Sequence, residues 1–413
     1  MRVRYYGHVG QRTGYGRAAE VTCHAMLAAG IELEIRPLMP YEHLDLDRAD
    51  VLPLATRIRR DDEMVEPDVV FVHTLPFDCE RVVKIAGFVE RDGESTYRTP
   101  HSLHSRLVAY TTWEGMSRVP PQFVRSLYSG CFQHVYMPSR SNVSRMLDGI
   151  RAAALPSIPF EVGVLPHAFD PAIIPKLRGP KSPAAPDRYR FYYVGAWNGR
   201  KNPAGVIRAY ISAFEPTDNV ELVMHCAHCS DVEFIITAHS SGLERHQMPK
   251  IDWHGGFVSD EEMWALHRDA DCFVTATRGE AWNLPAFDAM LAGRHMIVPT
   301  GMGHDDFLLP GTGGIEGTSV SAYGGMIMPA QGDVRIGQPQ PGQPDNALNL
   351  QFVGAHGLTG KSQWMEPSLY ELASKMKEVA KSGLRDLRWS YDAAARYSYE
   401  VVGKQLRASL EAL

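Results

Sequence analysis

Short runs of β-branched and aromatic residues recur along the chain, and each is followed by a turn-rich stretch and a segment with helical periodicity. Three of these runs cover residues 67–73, 106–112 and 189–195. A short continuous apolar run is typical of a strand buried on both faces, as in a parallel sheet. The alternation of such strands with helical segments predicts an α/β fold built from βαβ units.

One predicted strand and helix are joined by a loop that carries a carboxylate. Residues 271–275 form the apolar run, and Leu284–Leu291 has the pattern of the helix that follows. Such a loop, at the carboxyl end of a parallel strand, directs backbone N–H groups and the positive end of the helix dipole into one crevice. Glu280 in the loop and Asp288 in the helix can accept hydrogen bonds from the paired hydroxyls of a ribose or a sugar. We expect a ligand site here, and the alternative is that both are solvated surface acids.

A basic pair occupies the equivalent place after another predicted strand. Arg200 and Lys201 lie between the run at 189–195 and a helical segment at 204–214. Two cations at that point, added to the helix dipole, would neutralise an anion such as a diphosphate. The alternative is an exposed basic pair at the start of a helix.

The amino terminus has the same order of elements. A strand at 3–6 precedes a glycine-rich turn and a helical segment at 18–29. Gly14 and Gly16 would let a ligand approach the backbone at the start of this helix, because a side chain there would hold it off. A tight turn explains the same two glycines.

Polar residues lie at the ends of two further predicted strands. His73 ends the run at 67–73, and Glu114 follows the run at 106–112. Because the carboxyl ends of parallel strands share one edge of a sheet, we expect both side chains to face the crevice. Each is a candidate catalytic residue, and the alternative is a buried group that only satisfies the backbone.

Composition sets limits on the class of protein. A chain of 413 residues exceeds one ordinary core, so we expect two domains of about 200 residues. Hydrophobic residues at 44% and charged residues at 22% are ordinary for a globular protein. No stretch approaches the ~20 apolar residues of a membrane span, and the amino terminus lacks the apolar core of a signal peptide. We therefore expect a cytoplasmic protein.

Charge and cysteine content exclude two further classes. A net charge of -6 and a pI near 6.3 argue against a protein whose affinity comes mainly from nucleic-acid phosphates. Residues 118–151 are a local exception, with five arginines and one acidic residue, and a solvated helix face is the simpler explanation. The six scattered cysteines predict reduced thiols. The sequence His225-Cys226-Ala227-His228-Cys229 lacks the second ligand pair of a zinc site, so we expect no metal.

The segment from Gly279 to Gly293 resembles the signature of retaining glycosyltransferases of the family 4 type. The shared pattern is Gly279-Glu280-x-x-x-Leu284-Pro285-x-x-Asp288-Ala289-Met290-x-x-Gly293. The resemblance implies the GT-B fold, an α/β fold with two Rossmann-like domains facing each other across a cleft. It also implies that Glu280 contacts the donor sugar and that Asp288, where the family has glutamate, binds the ribose hydroxyls.

Other segments extend this resemblance over most of residues 1–309 and 361–413. The strand, glycine and basic pair around 189–201 imply that Arg200 and Lys201 bind the pyrophosphate, and residues 251–259 imply a nucleobase contact. Where many relatives have a histidine after the second strand, this chain has Thr111, Thr112, Trp113 and Glu114. The remaining residues that the resemblance places at the donor are Gly14, Tyr15, Gly16, Gly256, Phe257, Ala281, Trp282, Asn283 and Leu284.

These features together predict a retaining glycosyltransferase that moves a sugar from a nucleotide-diphosphate donor, UDP- or GDP-linked, to a hydroxyl acceptor without a metal or other cofactor. The expected domains are an acceptor-side domain at 1–172, a nucleotide-sugar domain at 173–390 with a Gly- and Pro-rich excursion at about 310–360, and a helix at 391–413 that crosses back. Alternatives are a nucleotide-sugar epimerase or phosphorylase, a transferase acting on hydroxylated bases in DNA, and a non-catalytic sugar-nucleotide-binding protein. The acceptor, the sugar and the oligomeric state stay open.

Overall fold

The chain forms two compact units of α/β structure. The computed structural model describes residues 1–59, 66–92, 96–98, 104–155, 160–183, 187–226, 229, 237, 242–308, 325–328, 364, 367–383 and 396–413. Unit 1 comprises Met1–Trp113, Arg118–Pro171 and Ala393–Leu413, and unit 2 comprises Glu114–Ser117 and Ala172–Asp392. The short segment Glu114–Ser117 therefore packs with unit 2, although its neighbours in sequence belong to unit 1.

Unit 1 is organised around a parallel sheet. The strands of the parallel sheet are β1 (Arg2–Gly7), β2 (Glu32–Pro37), β3 (Val69–His73), β6 (Arg106–Tyr110), β7 (His134–Met137) and β8 (Glu161–Val164). Two further strands, β4 (Glu90–Asp92) and β5 (Thr96–Arg98), form a separate antiparallel pair. The helices of unit 1 up to residue 153 are α1 (Gly14–Ala28), α2 (Leu52–Ala55), α3 (Pro76–Ile85), α4 (Pro121–Ser129) and α5 (Arg140–Ala153). The six parallel strands have the order β2-β1-β3-β6-β7-β8, so the direction of chain progression reverses between β1 and β3.

Large aromatic side chains fill the core of unit 1. The rings of Tyr5 and Phe71 stack with centroids 5.6 Å apart, and the rings of Phe71 and Tyr136 stack with centroids 6.2 Å apart. All three side chains are buried. They lie on β1, β3 and β7, whose apolar residues are buried on both faces of the sheet, as the sequence pattern predicts for parallel strands.

Unit 2 has a second parallel sheet. Its strands are β9 (Tyr189–Val194), β10 (Val220–Cys226), β11 (Ile251–Gly255), β12 (Cys272–Val274), β13 (His295–Pro299) and β14 (Gly325–Met328). Its helices are α6 (Ile174–Leu177), α7 (Pro203–Ala213), α8 (Asp260–Asp269), α9 (Leu284–Leu291), α10 (Asp305–Leu308) and α11 (Leu369–Ser382). The strand order β11-β10-β9-β12-β13-β14 places the reversal of chain direction between β9 and β12.

One predicted helix has the predicted limits, and another begins earlier. Helix α9 spans the predicted residues, and α8 begins after Ser259, whose side chain and Glu262 form a capping box. Helix α1 begins at Gly14 rather than at residue 18. Its cap is Thr13, whose hydroxyl accepts a hydrogen bond from Gly16 N, so the glycine-rich turn is already the first helical turn.

The expected excursion at 310–360 contains a strand of the sheet. Residues 325–328 form β14 and pair in parallel with β13, with Val298 opposite Ile327. The expectation of a loop is wrong for these four residues, because the run Gly-Met-Ile-Met is apolar enough to extend the sheet edge. The rest of that segment lies outside the described residues.

The C-terminal helix α12 (Tyr399–Ala412) packs against α1 within unit 1. It begins after Ser398, later than the expected start near 391, and residues 391–395 lie outside the described part. A side chain at Gly403 would put its Cβ 2.0 Å from the carbonyl oxygen of Ala25. Arg407 Nη1 donates a hydrogen bond to Ala29 O at 2.9 Å. Among the described helices, including α12, none combines the length and apolar character needed to cross a bilayer.

The close approach of α12 to α1 makes Gly403 sensitive to substitution. We expect Gly403→Ala to lower the free energy of unfolding by about 1–3 kcal/mol, because the methyl group would force the two helices apart. Urea denaturation followed by circular dichroism measures the loss. Lys404→Ala, at an exposed position on the same helix, is the matched control, and equal stability of the two variants would contradict the prediction.

Candidate active site

The candidate site lies where the chain direction reverses in the sheet of unit 2. The loop at 195–202 follows β9 and leads into α7, and the loop at 275–283 follows β12 and leads into α9. Strands β9 and β12 are hydrogen-bonded neighbours, so the two loops emerge side by side at the carboxyl edge of the sheet. In open parallel sheets this reversal point is where ligands bind.

A buried ion-pair cluster joins these two loops. Lys201 Nζ lies 2.7 Å from Glu280 Oε1 and 2.9 Å from Glu280 Oε2. Arg200 Nη1 lies 3.3 Å from Glu280 Oε2. The Glu280 side chain is only 2% exposed, so it is not a solvated loop acid. Three residues that the sequence placed at one site are thus in direct contact.

The surroundings of Glu280 keep its carboxylate ionised. Burial raises the pKa of Glu280, but Lys201 and Arg200, together with hydrogen bonds from Lys201 and Thr277, outweigh that effect and lower the pKa to about 2. Thr277 Oγ1 donates one of these hydrogen bonds at 2.9 Å. An ionised carboxylate only accepts hydrogen bonds. Glu280 is therefore suited to binding donors such as sugar hydroxyls and is unsuited to acting as a general acid.

Glu114 contacts the basic pair from a third segment. Its Oε1 lies 2.9 Å from Arg200 Nη2. Burial raises the pKa of Glu114, Arg200 and Lys201 lower it, and Glu280 raises it. The sequence predicts that Glu114 contacts the acceptor or the sugar. In the structure its carboxylate contacts Arg200. Its catalytic role stays a prediction.

Two asparagines, which the sequence analysis did not select as structural residues, shape the loops. Asn202 (φ 52°) and Asn283 (φ 76°) both have left-handed backbone conformations and cap α7 and α9. Asn202 Nδ2 also donates to Ala276 O at 3.0 Å, which ties one loop to the other. Asparagine tolerates this conformation better than most residues. The signal in the sequence is an asparagine one or two residues before a proline at a helix start.

The loop at 275–283 is held tightly on both sides. Arg200 Nη1 donates to Gly279 O at 2.7 Å. Behind the loop, Gly303 N donates to Glu280 O at 3.1 Å, and a Cβ at Gly303 would lie 1.7 Å from Ala281 O. Gly303 and Thr277 are positioning residues that the sequence analysis missed, because their contacts depend on tertiary packing.

The side chain of Trp282 belongs to the core of unit 2. It is 3% exposed and packs on Phe287 and Phe307, with ring centroids 5.4 and 5.0 Å away. Asn283 and Ala281 are also buried, and Leu284 is half-buried. The predicted contribution of 281–284 to ligand binding would therefore come from backbone groups at the start of α9 rather than from the indole ring.

Asp288 and the predicted nucleobase contacts lie in different surroundings from the ion-pair cluster. Asp288 is 5% exposed, and its Oδ2 lies 4.0 Å from His267 Nε2. The other ring nitrogen of His267 lies 2.8 Å from the hydroxyl of Tyr192. Gly256 and Phe257 follow the edge strand β11, and the Phe257 side chain is 51% exposed. Their roles at the ribose and the base stay predictions.

The candidate residues in unit 1 lie around the reversal point between β1 and β3. The Tyr15 hydroxyl lies 2.9 Å from Thr112 Oγ1. A Cβ at Gly16 would lie 2.0 Å from the carbonyl oxygen of Gln11, so packing alone requires that glycine, whereas Gly14 has open space. His73 is 1% exposed and its Nδ1 lies 2.6 Å from the Tyr5 hydroxyl. Burial lowers the pKa of His73 well below its usual value, so the ring is neutral.

The sequence predictions also concern the cysteine thiols and the possible metal ligands. All six cysteines are free, which confirms the prediction of reduced thiols. In the described ranges no group of three or more histidine, cysteine, aspartate or glutamate side chains is arranged to hold a metal ion. His228, a member of the sequence group from His225 to Cys229, lies outside those ranges.

No protein-family model and no curated protein sequence matches the chain. Solved structures match it over its whole length. HepE from Anabaena in complex with UDP-glucose has 13% sequence identity and a TM-score of 0.56, and the match covers 100% of both chains. A UDP-forming α,α-trehalose-phosphate synthase from Burkholderia xenovorans has 12% identity and a TM-score of 0.57, with 99% of this chain and 98% of that chain covered. Sucrose-phosphate synthase from Thermosynechococcus elongatus has 12% identity and a TM-score of 0.55, with the same coverage.

At such low identity these matches establish the fold and not the reaction. Both units contribute to them, because the aligned regions span almost the entire chain. The parallel sheets of the two units agree with this assignment. The chain therefore has the GT-B fold of glycosyltransferases, with two Rossmann-like units.

Proposed function

We propose that this protein is a glycosyltransferase that moves a sugar from a nucleotide-diphosphate donor to a hydroxyl acceptor. The observation that carries the proposal is the buried contact of Glu280 with Lys201 and Arg200 at the reversal point of the unit 2 sheet. Carboxylate and cations meet there beside the amino ends of α7 and α9, which is the chemistry that a sugar linked to a diphosphate needs.

Arg200 and Lys201 are the proposed partners of the diphosphate. When the bond between the anomeric carbon and the phosphate oxygen breaks, its electron pair stays on the leaving diphosphate. Cations fixed beside that oxygen stabilise the growing charge more in the transition state than in the bound donor. The proposal assigns this task to the two side chains and requires no metal ion.

Glu280 is the proposed contact of the donor sugar, and Asp288 the proposed contact of the ribose hydroxyls. The low pKa of Glu280 supports this assignment, because an ionised carboxylate accepts two hydrogen bonds from neighbouring hydroxyls. UDP is the favoured nucleotide, since HepE was solved with UDP-glucose and the Burkholderia synthase is UDP-forming. The acceptor is proposed only as a hydroxyl compound.

Diphosphate binding should depend on Lys201. We expect Lys201→Met to weaken binding of the preferred nucleoside diphosphate roughly 10- to 100-fold, because one charge-assisted hydrogen bond contributes about 1.5–3 kcal/mol. Titration calorimetry with UDP, GDP and ADP identifies the nucleotide and measures the loss. Lys377→Met, at an exposed position of α11 in the same unit, is the control. Undiminished binding by the Lys201 variant would overturn the assignment.

Substitution of Glu280 should lower the rate of turnover more than the affinity for the nucleotide. We expect Glu280→Gln to lower kcat about 10²–10³-fold while nucleoside-diphosphate affinity is kept or increased, because the variant removes one of the negative charges that oppose phosphate beside Arg200 and Lys201. Release of UDP from UDP-glucose in the presence of a panel of hydroxyl acceptors measures turnover. A wild-type protein that binds the donor but consumes it with none of the acceptors would instead favour a sugar-nucleotide-binding protein.

Transfer should retain the anomeric configuration. Retention is proposed from the resemblance of the 279–293 segment, and a front-face route in which the leaving phosphate takes the acceptor proton would need no enzymatic base. Proton NMR of the first product formed from an α-linked donor should show an α-linked sugar. A β-linked product at early times would contradict retention without affecting the diphosphate assignment.

A further inference from the structure

The charges of the four side chains in the cluster nearly cancel one another. Arg200 faces Glu114 at 2.9 Å and Glu280 at 3.3 Å, while Lys201 faces Glu280 at 2.7 Å. Two cations are therefore opposed by two carboxylates. Lys201 and Glu280 alone would form a neutral pair and leave Arg200 as the net charge for an anion. Glu114 removes that net charge.

The two carboxylate oxygens of Glu114 differ in their contacts. Oε1 binds Arg200, whereas Oε2 is buried and lacks a partner among the described residues. A charged oxygen without a partner is costly when water is excluded. The charged groups that act on Glu114 are Arg200, Lys201 and Glu280, and burial and Glu280 both raise its pKa. Held as a carboxylate against Arg200, Glu114 would repel a further negative charge nearby.

The backbone of Glu114 is pressed against the site loop. A Cβ at Gly279 would lie 2.1 Å from Glu114 O, so the loop at 275–283 and the segment Glu114–Ser117 are in close contact within unit 2. Arg200 binds both partners, through Gly279 O at 2.7 Å and the Glu114 carboxylate at 2.9 Å. The carboxylate is thus fixed beside the guanidinium that the proposed function assigns to the diphosphate.

We propose that Glu114 is a specificity-determining residue that selects the ligand by charge and favours a nucleotide sugar over the free nucleoside diphosphate. The inference rests on the proposed function, because it concerns ligands of the same basic pair. In a nucleotide sugar the outer phosphate is an ester and cannot gain its second negative charge. After the anomeric carbon to oxygen bond breaks, the free diphosphate carries one more negative charge, which Glu114 repels. Donor binding and product release are then both favoured.

The experiment compares the affinities of UDP and UDP-glucose, or of GDP and GDP-glucose if guanosine is preferred, by titration calorimetry. At about pH 7.5 the free outer phosphate is mostly doubly ionised, since its second pKa is about 6. We expect Glu114→Gln to improve free-diphosphate binding relative to nucleotide-sugar binding by about tenfold, which corresponds to the repulsion of two unit charges roughly 12 Å apart at an effective dielectric constant of about 20. Glu378→Gln, which removes an exposed carboxylate of α11, should leave the ratio unchanged.

The outcomes distinguish a failure of this inference from a failure of the proposed function. If both ligands bind and the ratio is the same in wild type and Glu114→Gln, the inference is wrong and the proposed function stands. If neither ligand binds either protein, both fail. If Glu114→Gln does not fold, the wild-type protein decides alone. Its preference for the nucleotide sugar should shrink at about pH 5.5, where the free outer phosphate has taken up a proton, and an unchanged preference would overturn the inference.

Discussion

The burial of an ionised carboxylate at Glu280 is the constraint on which the unit 2 site depends. A carboxylate removed from water is strongly unfavourable unless cations and hydrogen-bond donors surround it. Lys201 and Arg200 supply the cations from a loop that lies 79 residues earlier in the chain, and Thr277 supplies a hydroxyl. The loops after β9 and β12 must therefore meet, and the parallel pairing of those strands is what lets them do so.

The same constraint is consistent with the close contacts between the loops. Arg200 binds a carbonyl of the facing loop, Asn202 donates to Ala276 O, and Gly303 approaches Ala281 so closely that no side chain fits. Each contact fixes a backbone segment rather than a side chain alone. A site that stabilises developing charge benefits from this rigidity, because its groups need not reorganise during the reaction. The loops also contain residues in unfavourable left-handed backbone conformations, such as Asn202 and Asn283.

The sequence was sufficient for most of the elements and for the three residues that meet in the ion-pair cluster, and insufficient for the residues that hold the loops in place. Helix α9 was predictable because an apolar run with Pro285 in its first turn follows a buried strand. Arg200, Lys201 and Glu280 followed from the rule that ligands bind at the carboxyl ends of parallel strands. The contacts of Thr277 and Gly303 were not predictable, since they depend on loop packing. Strand β14 was missed because its four residues lie within a Gly- and Pro-rich stretch.

The two units differ in the charge at their reversal points, and this difference bears on which ligand each suits. In unit 1 the residues that directly follow β1 and β3 include His8 and Thr74, whose side chains are in contact, with His8 Nε2 3.0 Å from Thr74 Oγ1, and burial lowers the pKa of His8. Tyr15 and Thr112 add hydroxyls nearby in the same unit. Neutral donors and acceptors match the hydroxyls of a sugar or other polyol, whereas the cations of unit 2 match a diphosphate. This difference in side-chain chemistry is the reason that the proposed function assigns the donor to unit 2, while an acceptor at unit 1 stays a prediction.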